Sequence, residues 1–358
     1  MDIDIISQML SVRLVYGINH ETGRRTSYIP KNVYFGLVKK SRGSLGYVER
    51  QYETIEGMVN FNHTFWQVLN LNAVVGMGRY VDKGNGMTVS YQNANDMIQD
   101  TNLGAADGPF VPSSYKYENE KRSQFARASF ILFDKYVLAA TVRRDRTDKF
   151  FDNTKYSWFP SVSGAWKVSQ EKFLRDLTWL NLLKVRASYG VTGSDNLGTS
   201  LYGTVGVSRE DIKFSNGSIT YVPFVLLGGS YDDVTWQKTT MKNIGIDFVV
   251  LNNRLSGSID IFRNDVTNML GTAYTSLLNM YPTRPVNGAH YKRTGVELSL
   301  NSENIRTSDF TWTTSLALSH YRADWVERMP NYDYKTYQKR KNEPMSAYLS
   351  LIHISEPR

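Results

Sequence analysis

Leu183-Lys184-Val185-Arg186-Ala187-Ser188-Tyr189-Gly190-Val191-Thr192 alternates apolar and polar residues without a break. Successive side chains of a β-strand point to opposite faces, so Leu183, Val185, Ala187, Tyr189 and Val191 form one wall. Lys184, Arg186, Ser188, Gly190 and Thr192 form the other. A strand crosses a bilayer in about 9–11 residues, and one wall of hydrocarbon with one of charge is how such a strand separates lipid from a wet lumen. A slip of one residue would move Lys184 and Arg186 into lipid at about 2–4 kcal/mol each near the midplane, so the facing is strongly specified.

The same period-two reading predicts eleven strands: 10–18, 50–65, 69–80, 120–132, 136–146, 157–168, 182–193, 239–251, 254–268, 291–301 and 310–322. Their connections alternate between short (66–68, 133–135, 169–181, 252–253, 302–309) and mostly long (19–49, 81–119, 147–156, 194–238, 269–290). Antiparallel strands collect all short turns at one end and all long loops at the other, as in outer-membrane barrels; a soluble sandwich has no reason to sort them so. Asn252 and Asn253 suit a tight hairpin, and Asp134 with Lys135 closes another. Phe173, Leu174 and Leu177 share helical spacing, which predicts a short helix within 171–180.

Aromatic positions agree. Trp158 and Trp166 share a face eight residues apart, about 26 Å along the strand, or about 20 Å along the membrane normal for a tilt near 40°. Tyr136 and Trp312 join the lower girdle, at the short-turn end. Aromatics of a sandwich core would alternate in the same way, so this spacing alone leaves both readings open.

Composition bounds the rest. A chain of 358 residues with 41% apolar and 13% aromatic content can build a large wall or core, and no run of 18 apolar residues offers a membrane helix. Lack of cysteine removes disulfides and thiolate metal sites. The net charge of +8 is scattered over Arg143, Arg144, Lys184, Arg186, Lys238, Lys242, Lys292 and Arg293 with no nucleic-acid module around it. A solvated lumen or loop surface is the reading, with attraction to phosphorylated lipid headgroups second. Asp2 and Asp4 stand where an export signal would carry positive charge, so any signal lies outside this chain.

No catalytic motif is present: the five histidines have no metal-ligand spacing, and no nucleophile elbow, phosphate loop or dinucleotide fingerprint occurs. The reading is therefore no enzyme and no cofactor. In the 194–238 loop, Asp195 with Asn196, and Tyr231, Asp232 and Asp233 beside Trp236, are acidic, amide and aromatic groups. They can hydrogen-bond a sugar or hold Ca²⁺, or serve as ordinary turn formers. Two rivals to a transport role remain: a soluble all-β carbohydrate-binding module, and a β-rich hydrolase with an unrecognised carboxylate pair.

KYVLAATVRRD (135–145), YSWFPSVSGAW (156–166), LKVRASYGVTG (183–193), KNIGIDF (242–248), NNRLSGSIDIF (252–262), RTGVELSL (293–300) and FTWTTSLALS (310–319) together resemble the SusC/RagA class of TonB-dependent outer-membrane transporters. The likeness runs in the family's order over about 120–325. It is weaker over 1–119, where Leu103-Gly104-Ala105 ahead of Pro112-Ser113-Ser114 matches best, and it departs at Arg146, Thr147 and Asp148. The resemblance implies an antiparallel transmembrane β-barrel of 22 strands in the outer membrane, with a plug energised by the TonB-ExbB-ExbD system. It also implies a SusD-like lipoprotein partner and import of oligosaccharides or peptides. Eleven strands are an odd number, so residues 1–349 read as a barrel fragment without its plug. Ser350–Arg358, SLIHISEPR, resembles a translated sequencing adapter and reads as a non-native tail.

Overall fold

The computed structural model describes residues 1–30, 41–92, 103–106, 108–197, 201–202, 204–207, 214–215, 220–221, 224–276, 278, 281–332, 334 and 343–345. The tail at 350–358 lies outside them. The strands are β1 (Asp2–Ile6), β2 (Leu10–Ile29), β3 (Arg42–Phe65), β4 (Leu69–Gln92), β5 (Val111–Leu132), β6 (Tyr136–Thr147), β7 (Tyr156–Lys167) and β8 (Leu180–Ser194). Four short strands follow: β9 (Thr204–Val207), β10 (Phe214–Ser215), β11 (Thr220–Tyr221) and β12 (Phe224–Gly228). Then come β13 (Gln237–Val250), β14 (Leu255–Tyr274), β15 (Thr283–Arg306), β16 (Thr311–Glu327) and the two-residue β17 (Glu343–Pro344). The hydrogen-bonded order is β1 through β8, then β13 through β17. β9 pairs with β12 and β10 with β11 as hairpins inside the long loop.

All eleven predicted strands are present, as β2–β8 and β13–β16, and β1, the short loop strands β9–β12 and the two-residue β17 are additions that the alternation does not predict. Most are longer than expected. The fold class is all-β and antiparallel, as read from the alternation. The chain divides into two compact units, one of Met1–Ile5, Ser11–Val59 and Gly76–Gln124, the other of Ile6–Leu10, Asn60–Val75 and Phe125–Arg358. The second contains β6–β8 and β13–β16 entire, and their register positions the candidate site.

Tight turns carry the backbone conformations expected of them. Asp134, Asn252 and Asn253 have φ of 56°, 55° and 67°, in the left-handed region that Asn and Asp tolerate best. The predicted helix is absent from 171–180. A three-residue 3₁₀ turn at Val168–Gln170 is followed by isolated turns such as Arg175 N–H to the Glu171 carbonyl. So short a segment makes too few hydrogen bonds to offset helix nucleation.

Register shows what the two faces contain. Trp166, Val185, Ile246, Ile259, Leu298 and Leu318 are successive cross-strand partners on one face. Ala187, Ile244, Ile261 and Val296 form the next row. These apolar side chains are uncovered, with Ile244 62%, Ile261 57% and Leu318 54% exposed. A sandwich would bury this face; lipid is the solvent that suits it.

Trp158 and Trp166 are on this face and Phe159, between them, is buried on the other. The row from Trp166 reaches β16 at Leu318, six residues past Trp312. Six residues are about 20 Å of strand, and the five steps from β7 to β16 about 24 Å. Placing both tryptophans at one membrane level therefore requires strands inclined by roughly 40°, within the range of barrels. At the girdle, Tyr136 Oη and Trp166 Nε1 both donate to Glu171 Oε1, at 2.6 and 3.1 Å, and Lys135 Nζ lies 3.3 Å from Oε2. These bonds hold the Glu171 carboxyl below the usual glutamate range.

Candidate functional site

Lys184 and Arg186 project from β8 away from the apolar face. Asp247 on β13 is the register partner of Lys184, and Gly245 that of Arg186. Lys184 Nζ lies 3.0 Å from Asp247, while Arg186 reaches Asp247 at 3.1 Å through Nε and Asp260 of β14 at 2.7 Å through Nη2. Nη1 adds a 3.3 Å bond to the Asn243 side-chain oxygen. One guanidinium thus ties three strands. Gly245 makes this possible: a Cβ there would lie 2.6 Å from Asp260 Oδ1 and 2.7 Å from Arg186 Cζ. Without a side chain, Gly245 leaves the guanidinium room to cross its strand.

Beside the network is an open cavity of about 670 Å³, lined by Arg127, Arg186, Asn243, Phe262, Asn264, Arg293 and Glu297 together with small residues such as Ser161, Ser163 and Ser188. The size falls within that of small-molecule sites. Arg293 also stands over the Tyr321 ring at 4.8 Å. Alternating donors, acceptors and an aromatic make this wall suited to hydrated polar solutes. None of these residues stands out as a site in the sequence. The signal is there, in the carboxylates within KNIGIDF and NNRLSGSIDIF, but pairing Arg186 with Asp247 and Asp260 needs the fold.

The six candidates from the 194–238 loop divide in two. Trp236, 3% exposed, is packed edge-to-face against Phe150 and Phe159, at 5.6 and 5.5 Å, with Leu201 and Val234 completing the cluster. Its Nε1 donates to the Lys155 carbonyl at 3.2 Å. Asp195 is buried and accepts a 2.9 Å bond from Thr147 Oγ1. These two anchor the loops to the barrel end and present no open face. Tyr231 is half-buried under Arg284, whose guanidinium is 5.4 Å from the ring, and Arg284 is ion-paired with the exposed Asp233. Asp232 is exposed and accepts from Asn153 through its carbonyl, and Asn196 is exposed with its N–H on Ser194 Oγ.

An apolar outer face, an ion-paired inner face and loops packed at one end describe a barrel wall. The model of the β-barrel of TonB-dependent receptor-like proteins matches residues 8–347. The chain belongs to this family. The SusC/RagA resemblance read from the sequence holds: "TonB-dependent receptor SusC" of Bacteroides thetaiotaomicron is 32% identical over 211 residues, 57% of this chain. "TonB-dependent receptor P3" of Formosa agariphila is 26% identical over 333 residues, 90% of the chain. The chain spans 20% and 32% of those two relatives. A solved structure of the RagAB peptide transporter superposes with a TM-score of 0.78 at 20% identity, over 93% of this chain and 36% of that one, a likeness of fold. Within a family of outer-membrane receptor barrels, the exposed rows around Ile244 and Ile261 are the lipid-facing wall and the Arg186 network faces the lumen.

Proposed function

We propose that this chain is part of the wall of a TonB-dependent outer-membrane importer of oligosaccharides or peptides. The single observation that carries the reading is the ion-paired, polar inner face of β8, β13 and β14 behind an uncovered apolar outer face. Such a wall conducts polar cargo without exposing it to lipid. Transport is then binding plus movement of a plug energised by TonB-ExbB-ExbD, and a SusD-like lipoprotein closes the outer end. The description of the RagAB structure as a peptide transporter favours a peptide, while the SusC/RagA resemblance read from the sequence implies either an oligosaccharide or a peptide. At the loop end, Asn196, Tyr231, Asp232 and Asp233 form the ligand-facing rim that Asp195 and Trp236 hold in place.

The test is uptake. Cells making the receptor that carries this chain should accumulate fluorescent oligosaccharide or peptide of its substrate class, and lose accumulation when TonB is deleted. Uptake independent of TonB, or a receptor that stays soluble and monodisperse without detergent, would refute the proposal and favour a soluble binding module.

A further inference from the structure

The lipid-facing wall has a gap. Gly164 on β7 and Ala187 on β8 are register partners between Leu138 and Ile244, so two adjacent positions of an otherwise bulky row carry almost no side chain. They floor an apolar hollow of about 580 Å³ walled by Val162, Tyr189, Ile244 and Ile261. Lys242 and Arg263 complete the lining, and they are register partners one row toward the long-loop end.

Charge at this rim is unbalanced. Arg263 is ion-paired with Asp265 at 2.8 Å, and Asp265 also has His290 3.8 Å away. Lys292 is the register partner of Asp265, and Arg322, further along the row of Lys242, is paired with Asp324. Lys242 is exposed and shares the field of the single Asp265 carboxylate with Arg263 and His290, with no close ion pair of its own among the described residues. A lysine on a lipid-facing row is tolerated near the interface and costly toward the midplane, so this row marks the headgroup level. An apolar hollow opening directly beneath a cation that has only a share of one carboxylate matches one kind of molecule already in that leaflet.

We propose that the hollow over Gly164 and Ala187 seats an acyl chain of an anionic lipid whose phosphate, uncompensated by any headgroup cation, is held by Lys242. Charge complementarity selects this occupant over a zwitterionic lipid, whose own cation would face Lys242.

Native mass spectrometry of the detergent-solubilised receptor tests this, with dipalmitoyl phosphatidic acid and dipalmitoyl phosphatidylcholine as probes. Two variants are compared, Lys242→Met and Gly164→Leu. A Cβ at Gly164 would have only the Val137 carbonyl oxygen near it, at 3.8 Å, so the backbone accommodates a side chain there, and leucine extends from it into the hollow. Unchanged heat-modifiable migration checks that both variants fold. The parent should retain phosphatidic acid in preference to phosphatidylcholine, and each variant should weaken that retention about tenfold. Equal retention of the two lipids, phosphatidic acid binding unchanged in either variant, or a receptor dimer in place of bound lipid would overturn the proposal.

Discussion

Val185→Arg and Arg186→Val exchange charge and hydrocarbon at neighbouring positions of β8, and their costs differ in kind. Val185 lies between the girdle residue Trp166 and Ile246 on the lipid face, so arginine there costs between the ~0–1 kcal/mol of the interface and the ~2–4 kcal/mol of the midplane. Arg186→Val removes a guanidinium shared by Asp247 and Asp260. Asp247 keeps Lys184, but Asp260 loses its ion pair with Arg186. Side-chain exposures of 31% for Arg186 and 13% for Asp260 place the pair between a surface bridge, worth up to about 1 kcal/mol, and a buried one costing about 3–5 to break. An intermediate loss of about 1–2 kcal/mol results. Denaturant unfolding of the receptor from lipid vesicles measures both. The sharper discrimination comes from adding Asp260→Asn: it should recover part of the Arg186→Val loss and none of the Val185→Arg loss. Equal recovery of both losses by Asp260→Asn would mean the facing of β8 is wrong.

Gly245→Ala should destabilise by about 1–3 kcal/mol in the same titration, because its Cβ collides with Asp260 and Arg186. Its effect should be non-additive with Arg186→Val, and additivity would separate Gly245 from the network. Glu171, its carboxyl lowered by bonds from Tyr136 and Trp166, contributes stability that is fully present above the ordinary glutamate pKa and lost as pH falls through the lower folded value. The heat-modification temperature should therefore fall on acidification below the usual glutamate range, and Glu171→Gln should flatten that response; an unchanged profile in the variant would exclude Glu171. Trp236→Ala removes the centre of the Phe150–Phe159 cluster, so limited proteolysis should open 194–238 while the heat-modification temperature stays close to the parent's. A protease-resistant loop in that variant would contradict the anchoring role.

The parts of the fold legible in the sequence are those where one face meets lipid and the other water. β8 is read from its alternation, and Asn252 and Asn253 from their turn chemistry. Beyond the apolar band the signal stops. β2 continues to Ile29, β3 begins at Arg42 and β4 runs to Gln92, all well past their predicted ends. There, polar residues such as those of His20–Ser27 occupy both faces, and the strand is maintained by backbone bonding and by cross-strand polar pairs such as Ser27 with Ser44 and His20 with Glu49, which leave no period-two mark in the sequence. Trp236 misleads for a related reason: aspartates beside a tryptophan read alike whether the ring binds a ligand or packs against Phe150 and Phe159. The Arg186 network is illegible because its partners are 61 and 74 residues away.

That network also removes the ambiguity that alternation leaves in the wall. Alternation penalises a slip of β13 against β8 by one residue, since every side chain changes face. A slip of two residues keeps every face correct, and lipid does not oppose it. It would move Asp247 about 7 Å from Lys184 and take Gly245 out from under Arg186, where a residue with a side chain would then collide with the guanidinium. Odd slips are thus excluded by the outer face and even slips by the inner one. A wall whose register is fixed by its own two faces places no demand on the loops above it. Those loops, with Asn196, Tyr231, Asp232 and Asp233, then have no part in setting the register of β13 against β8.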